Sequence, residues 1–153
     1  MKRVDRAWLK EHNACADGFK FWCEHCEGKD TEQQLLTLVK HSDDWAYWIL
    51  TKLLNTKQNQ QLAVFSAQQV LPIFEKKYPT DKRPRLAIEA AKNVLKNDTK
   101  KNRAAAWAAA GAAWAAAWAA TAARDAGAAG TTSAMKMKIL RYGISLLHKG
   151  IPR

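Results

Sequence analysis

The feature that most restricts the fold is an uncharged stretch of twenty residues, 104–123, in which fifteen residues are alanine. Alanine is the strongest helix former because it loses no side-chain entropy and crowds no neighbouring turn. The other five residues are spaced by four, three, four and three positions, which places them on one stripe of a helix. They are Trp107, Gly111, Trp114, Trp118 and Thr121. The stretch therefore predicts a helix with a tryptophan seam and a smooth methyl surface that neighbouring helices can approach closely.

The same stretch is long enough to cross a bilayer, which needs about 20 residues. It lacks Leu, Ile, Val and Phe, however, and its tryptophans lie in the middle of the stretch rather than at its ends. Both properties oppose membrane insertion. We therefore predict a buried helix of a soluble protein and no membrane contact. Whether the tryptophan seam lies in the core or forms an exposed ridge for a partner stays open at this point.

The rest of the chain predicts an all-α protein. Amphipathic segments recur at helical spacing, and Pro and Gly are scarce among the 153 residues. A chain of this length is typical of one domain. We expect a single-domain bundle of about seven or eight helices around the long Ala/Trp helix. Its segments are an N-terminal helical segment (1–30), amphipathic helices (31–97), the Ala/Trp-rich helix (98–130) and a C-terminal helix (131–150).

Local signals predict several helix boundaries. The sequence TEQQ at residues 31–34 matches a capping box that begins at Thr31. Pro72 removes a backbone hydrogen bond, so the helix that contains it is expected to bend there or to break near Val70. Residues 131–133 are expected to cap the last helix. The apolar face predicted for that helix comprises Met135, Ile139, Tyr142, Gly143, Leu146 and Leu147.

The three cysteines lie within twelve residues of one another, which is not the pattern of a disulfide framework and suits a reducing cytoplasm. The N-terminus has no apolar segment of the kind that a secretory signal requires, so we predict a cytoplasmic location. A zinc site made by Cys15, Cys23, His25 and Cys26 is a weak alternative to buried structural thiols. Cys15 and Cys26 are about three helical turns apart, so one helix cannot gather all four ligands. No metal or cofactor is expected.

The chain carries a formal net charge of +11, and its basic residues are concentrated between Lys76 and Arg103. A field of this sign attracts acidic proteins, nucleic acids and anionic surfaces, but it reads no base sequence. Part of this charge is expected to be neutralised locally, because Glu89 is spaced to pair with Arg85 and Lys92. The candidate partner-binding residues are Lys82, Arg83, Arg85, Lys100, Lys101 and Arg103.

Four segments resemble a helical, alanine-rich, immunity-protein-like family of small bacterial and phage proteins. They read LKEHNACADG…FW at residues 9–22, DWAYW at 44–48, LAVFSAQQVLPIFE at 62–75 and YPTDKRPRLAIEAA at 78–91. The resemblance implies a helical fold and a protein that neutralises a toxin by binding it, in a bacterial cell or a phage-infected host. It supplies no catalytic or binding residues.

No Ser/His/Asp arrangement, phosphate-binding glycine loop or HExxH run is present in the sequence. We therefore predict a non-enzymatic interaction protein that binds and inhibits a macromolecule, with an acidic protein as its partner. The alternative is a nucleic-acid-binding protein without sequence specificity, which would use the same basic residues. The sequence does not determine the oligomeric state.

Overall fold

The computed structural model describes residues 3–104 and 129–149, and the regular structure in these ranges is helical throughout. The all-α prediction is therefore confirmed. Seven helices have both bounds in the described ranges: α1 (Arg6–Glu11), α2 (Ala16–His25), α3 (Thr31–Leu38), α4 (Asp43–Leu53), α5 (Thr56–Lys77), α6 (Arg83–Lys96) and α7 (Ala129–Lys149). Residues 100–104 are helical as well. The tryptophan seam and nearly all of the alanine stretch lie outside the described residues, so the central Ala/Trp helix stays a prediction.

The chain divides into two compact units. The first contains Met1–Gln58 together with Lys136–Arg153, so it holds α1 to α4 and most of α7. The second contains Asn59–Met135, and hence most of α5 and all of α6. The first unit is discontinuous in sequence, because the whole of the second unit lies between its two parts. The single-domain organisation proposed from chain length stays a prediction.

Close contact between α4 and α7 forms part of the core of the first unit. Leu50 of α4 is fully buried, and a Cβ atom built on Gly143 of α7 would lie only 2.4 Å from Leu50 Cδ2. Gly143 therefore permits an approach that a side chain would prevent. The neighbouring core residues are Leu35, Leu38, Ala46, Ile49, Leu140, Ile144, Leu146 and Leu147.

The face predicted for α7 was partly wrong. Gly143, Leu146 and Leu147 are buried as expected, but Leu140 and Ile144 complete the buried stripe, while Ile139 and Tyr142 are half-buried. The helix also begins at Ala129, before the predicted cap at residues 131–133. The stripe through 140, 143, 144 and 147 has the spacing of one helix face, and contact with α4 selects it.

Buried polar contacts link α2, α3 and the chain N-terminal to α1. Gln34 of α3 is almost fully buried, and its Oε1 accepts a hydrogen bond from Trp22 Nε1 at 3.0 Å. Its Nε2 donates to the carbonyl oxygens of Val4 (3.1 Å) and Lys29 (2.8 Å). One amide thus satisfies a buried indole N–H and two backbone carbonyls.

Helix α3, which carries Gln34, begins one residue earlier than the predicted capping box implies. The N-cap of α3 is Asp30, whose carboxylate accepts a hydrogen bond from Gln33 N at 2.8 Å, and Thr31 is the first helical residue and is buried. The N-cap of α3 therefore lies one residue before the predicted one. Aspartate is as good an N-cap as serine and better than threonine, so local preference does not oppose the shift.

Helix α5 is continuous from Thr56 to Lys77 with Pro72 inside it, which excludes the break near Val70, one of the two expected outcomes, while the bend at Pro72 stays a prediction. Proline removes one backbone donor from a helix interior. Pro72 is exposed, which leaves the carbonyl freed by the missing donor near solvent.

An ion pair joins α4 to α7 and makes the first unit sensitive to acid. Lys136 Nζ lies 2.8 Å from Asp43 Oδ2, and this hydrogen bond lowers the pKa of the Asp43 carboxyl. Nearby, Tyr47 donates its hydroxyl proton to the carbonyl oxygen of Lys136 at 2.7 Å. Burial, and then the Asp43 charge, raise the pKa of Tyr47 to about 12, so this donor stays protonated at neutral pH.

We expect Asp43→Asn to reduce the pH dependence of stability in acid. A carboxyl whose folded-state pKa is depressed stabilises the fold above its unfolded pKa of about 3.9, and the contribution disappears as pH falls through the folded value. Urea unfolding at pH 6 should show wild type slightly more stable than the variant, and the difference should shrink as the pH falls below about 3.9. Asp44→Asn, the next residue of the same turn, is the control. An equal pH response in both variants would contradict the assignment.

Candidate functional site

The six predicted partner-binding residues do not form one cluster. Lys82, Arg83 and Arg85 lie at the N-terminal end of α6, and we call them the first basic group. Lys100, Lys101 and Arg103 follow the C-terminal end of the same helix, and we call them the second basic group. Helix α6 spans Arg83–Lys96, fourteen residues. At 1.5 Å per residue this helix is about 21 Å long, and Asn102, within the stretch of the second basic group, folds back to donate to the carbonyl oxygens of Asn93 and Asn97.

All three arginines of these groups are paired with carboxylates of the same chain. Arg85 donates two hydrogen bonds to Glu75, at 2.7 and 2.6 Å. Arg83 does the same to Asp81, at 2.9 and 2.7 Å. These bonds lower the pKa values of Glu75 and Asp81. Arg103 Nη1 donates to Asp98 Oδ1 at 2.9 Å.

One predicted ion pair is present and the other is replaced. Glu89 accepts from Lys92 Nζ at 2.8 Å, as expected from the i,i+3 spacing. Arg85 was expected to pair with Glu89 but instead makes its two hydrogen bonds to Glu75 of α5. A bidentate arginine–carboxylate contact is geometrically more favourable than a single contact along one helix, so the inter-helix partner is selected.

The lysines carry the remaining positive charge. Lys82 Nζ donates to the carbonyl oxygen of Pro79 at 2.8 Å, and its charge helps to lower the pKa of Glu75. Lys100 and Lys101 are exposed, and neither makes an ion pair within the described ranges. The positive charge that a partner would meet at both ends of α6 is therefore that of the lysine ammonium groups, because the arginine guanidinium groups already bind carboxylates.

The four residues of the alternative zinc site lie along α2 without converging. Cys15 is the exposed N-cap and Cys23 is half-buried, whereas Cys26 is buried at the C-cap. Burial raises the pKa of the Cys26 thiol. The His25 ring lies 4.4 Å from the Phe21 ring, centroid to centroid. Across the described part of the chain, no three His, Cys, Asp or Glu side chains are grouped as metal ligands.

A pocket of about 270 Å³ lies within the first unit, between α1, α2, α3 and α4. The sequence pattern did not indicate it, because the helical spacing of Trp45, Trp48 and Ile49 is equally typical of a core face. Both tryptophans are half-buried, while Leu9, Trp22, Leu38 and Ile49 form a buried floor. The residues lining the pocket are Leu9, Asn13, Ala14, Cys15, Gly18, Trp22, Leu38, Asp44, Trp45, Trp48 and Ile49.

A tight helix ending shapes one wall of this pocket. Asn13 has a φ of +57°, the left-handed conformation that asparagine tolerates better than most residues. Ala14 N donates to Leu9 O at 2.9 Å and Asn13 N donates to Lys10 O at 3.1 Å, which is the Schellman pattern. The chain therefore reverses within a few residues after α1, and it enters α2 at Cys15.

Aromatic contacts hold the two half-buried tryptophans, Trp45 and Trp48, in place. The Trp48 ring meets the edge of Trp8 at a centroid distance of 6.0 Å. Trp45 contacts Phe21 at 5.7 Å and His41 at 5.4 Å. Gly18 lets α2 approach Trp45, since a Cβ there would lie 3.3 Å from Trp45 Cε2. These contacts restrict the positions of both indoles.

Comparison with known proteins identifies the larger part of the chain. No helix within the described ranges is long and apolar enough to span a bilayer. None of the curated proteins and none of the solved structures matches the chain. One family model, described as "Imm-5 like putative immunity protein", matches residues 52–149, a segment that includes both basic groups and α7. The chain therefore belongs to this immunity-protein family.

Proposed function

We propose that this protein is a non-enzymatic, immunity-type inhibitor that binds an acidic surface of a protein partner through the two basic groups of α6. The observation that carries the proposal is the division of charge described above. Within the family-matched segment, the carboxylates near α6 are paired, while Lys82, Lys100 and Lys101 form no ion pair with another described residue. Family membership supports an immunity-type role, and the free lysines support the chemistry of the partner.

The spacing of the groups suits a protein interface of ordinary size. A standard interface buries about 800 Å² on each partner, a patch roughly 30 Å across. The length of α6, about 21 Å, is shorter than that diameter, so both ends of the helix fit within one such patch. It exceeds the Debye length of about 8 Å at physiological salt, so each group must meet its own acidic residues on the partner. Charges arranged in this way increase the association rate and align the partner.

The occupied arginines favour a protein partner over nucleic acid. Arginine is the residue best suited to bidentate recognition of phosphate, because its five donors form a rigid fork. Here Arg83 and Arg85 direct that fork at Asp81 and Glu75. Nucleic acid would have to be held by lysine point charges alone, or by breaking these pairs.

Charge reversal at the second basic group tests the proposal. We expect Lys100→Glu/Lys101→Glu to weaken partner binding at least tenfold, because two attractive contacts become repulsive. The assay is a pull-down from nuclease-treated lysate of the source cell, followed by calorimetry with the purified partner at two salt concentrations. Lys20→Glu/Lys40→Glu is the matched control, since both lysines are exposed residues of the first unit and the net charge change is identical.

Three results would contradict the proposal. The first is equal binding by the two double variants. The second is loss of the captured partner after nuclease treatment. The third is a gel shift with duplex or single-stranded nucleic acid that depends steeply on salt and disappears in Lys100→Glu/Lys101→Glu. Substitutions at Arg83 or Arg85 are less informative, because they also break ion pairs within the second unit.

A further inference from the structure

We propose that the pocket of the first unit binds a quaternary ammonium group, with the tryptophans as its cage and Asp44 as its counterion. The pocket lies in residues 9–49, outside the family-matched segment, and is separate from the basic groups. The site is therefore additional to the proposed inhibitor function and does not depend on it.

The lining of the pocket has the composition of a cation site. Three of its residues are tryptophan, the aromatic side chain with the strongest attraction for a cation over its ring face. Asp44 is the only charged residue that lines it. No Lys or Arg lines the pocket, so no like charge would repel a cation there. A positive ligand would meet attraction from both the rings and the carboxylate.

Asp44 is available to such a ligand. It is exposed in the first turn of α4, and it forms no ion pair with another residue of the described ranges. Its neighbour Asp43 already pairs with Lys136 on the other side of the turn. The two carboxylates thus have different surroundings, one closing a contact with α7 and the other facing the pocket.

The pocket is largely preformed. Contacts with Trp8 hold Trp48, and contacts with Phe21 and Gly18 hold Trp45, so little ordering is needed when a ligand enters. Preorganisation of this kind improves affinity because fewer side chains are immobilised on binding.

The volume sets the size of the ligand. An apolar cavity of about 150 Å³ accommodates benzene, and pockets for drug-sized molecules are about 300–1,000 Å³. At about 270 Å³, this pocket suits one head group rather than a nucleotide or an extended cofactor. A trimethylammonium group has the required shape and charge and needs no hydrogen-bond donors or acceptors from the apolar floor. It is carried by free alkylammonium ions and by trimethyllysine side chains.

The test compares choline with 3,3-dimethylbutan-1-ol, which has the same shape but no charge. We expect calorimetry to show choline binding at least tenfold more tightly, and the indole N–H resonances of Trp45 and Trp48 to shift on titration. A short peptide that contains trimethyllysine forms the second arm. If the peptide binds more tightly than choline, the natural source is a protein side chain; if choline binds more tightly, the source is a free molecule.

Variants assign the binding to this pocket. Asp44→Asn and Trp48→Leu should each weaken choline binding at least fivefold, and Trp48→Phe should weaken it less than Trp48→Leu. Asp17→Asn, the same charge change at an exposed first-turn residue that does not line the pocket, should have no effect. Asp44→Asn changes only a surface group, so it remains interpretable even if Trp48→Leu fails to fold. Three results would overturn the proposal: no saturable choline binding, equal affinity for the neutral analogue, or no response to Asp44→Asn.

Discussion

Gly143→Val is expected to destabilise the first unit by about 1–3 kcal/mol, the usual result of adding atoms to a packed core. A Cβ at this position would lie 2.4 Å from Leu50 Cδ2 and 3.3 Å from both Leu50 Cδ1 and Cγ. Leu50 is fully buried, so its side chain has no solvent into which it can move. Valine has a better helix propensity than glycine, which offsets the effect by only a few tenths of a kcal/mol. Urea unfolding followed by circular dichroism measures the change.

A double-mutant cycle identifies the cause. If the contact with Leu50 is responsible, Leu50→Ala should be less destabilising in the Gly143→Val background than in wild type, because the added methyl groups fill the space that leucine leaves. A coupling energy above about 1 kcal/mol would confirm the contact. Additive effects, or a Gly143→Val protein as stable as wild type, would show that α7 does not approach α4 as described.

Gln34→Leu is expected to destabilise the protein by about 2–5 kcal/mol, because each buried polar group left without a partner costs about 1–3 kcal/mol. The substitution conserves approximate size but removes the acceptor for Trp22 Nε1 and the donor for the Val4 carbonyl, both in buried contacts. The measurement is again urea unfolding. Trp22→Phe in the Gln34→Leu background should recover part of the loss, since it removes the unpaired indole donor.

Gln33→Leu provides the matched control. Gln33 is the adjacent residue of α3 and is exposed, and its recorded hydrogen bonds involve its backbone. Surface substitutions of this kind usually change stability by less than about 0.5 kcal/mol. Equal effects of the two substitutions would mean that the buried amide does not stabilise the first unit.

These two sites show what the sequence could and could not predict. Helix existence followed from periodicity, and the segment predicted to hold amphipathic helices, 31–97, contains α3 to α6. The capping box was placed one residue too late because Asp30 and Thr31 are both acceptable N-caps. The tertiary structure decides between them. In the helix whose N-cap is Asp30, the Gln34 side chain reaches Trp22.

The candidate site was harder to predict for two physical reasons. The basic residues were grouped by their proximity in sequence, although most of α6, from Leu86 to Lys96, lies between them. Helix length alone could have revealed this separation. The pocket depends instead on how four short helices meet, and the periodicity of α4 cannot distinguish a fully buried tryptophan from one that lines a cavity.

The discontinuity of the first unit has a consequence for synthesis on the ribosome. The nascent chain must make all of Asn59–Met135, 77 residues, between α4 and the C-terminal part of α7. At about 5–20 residues per second this takes about 4–15 s. During that interval the apolar surface of α4 around Leu50 has no α7 to cover it. The emerging N-terminal segment is therefore a natural client for chaperones that shield exposed apolar surface until translation is complete.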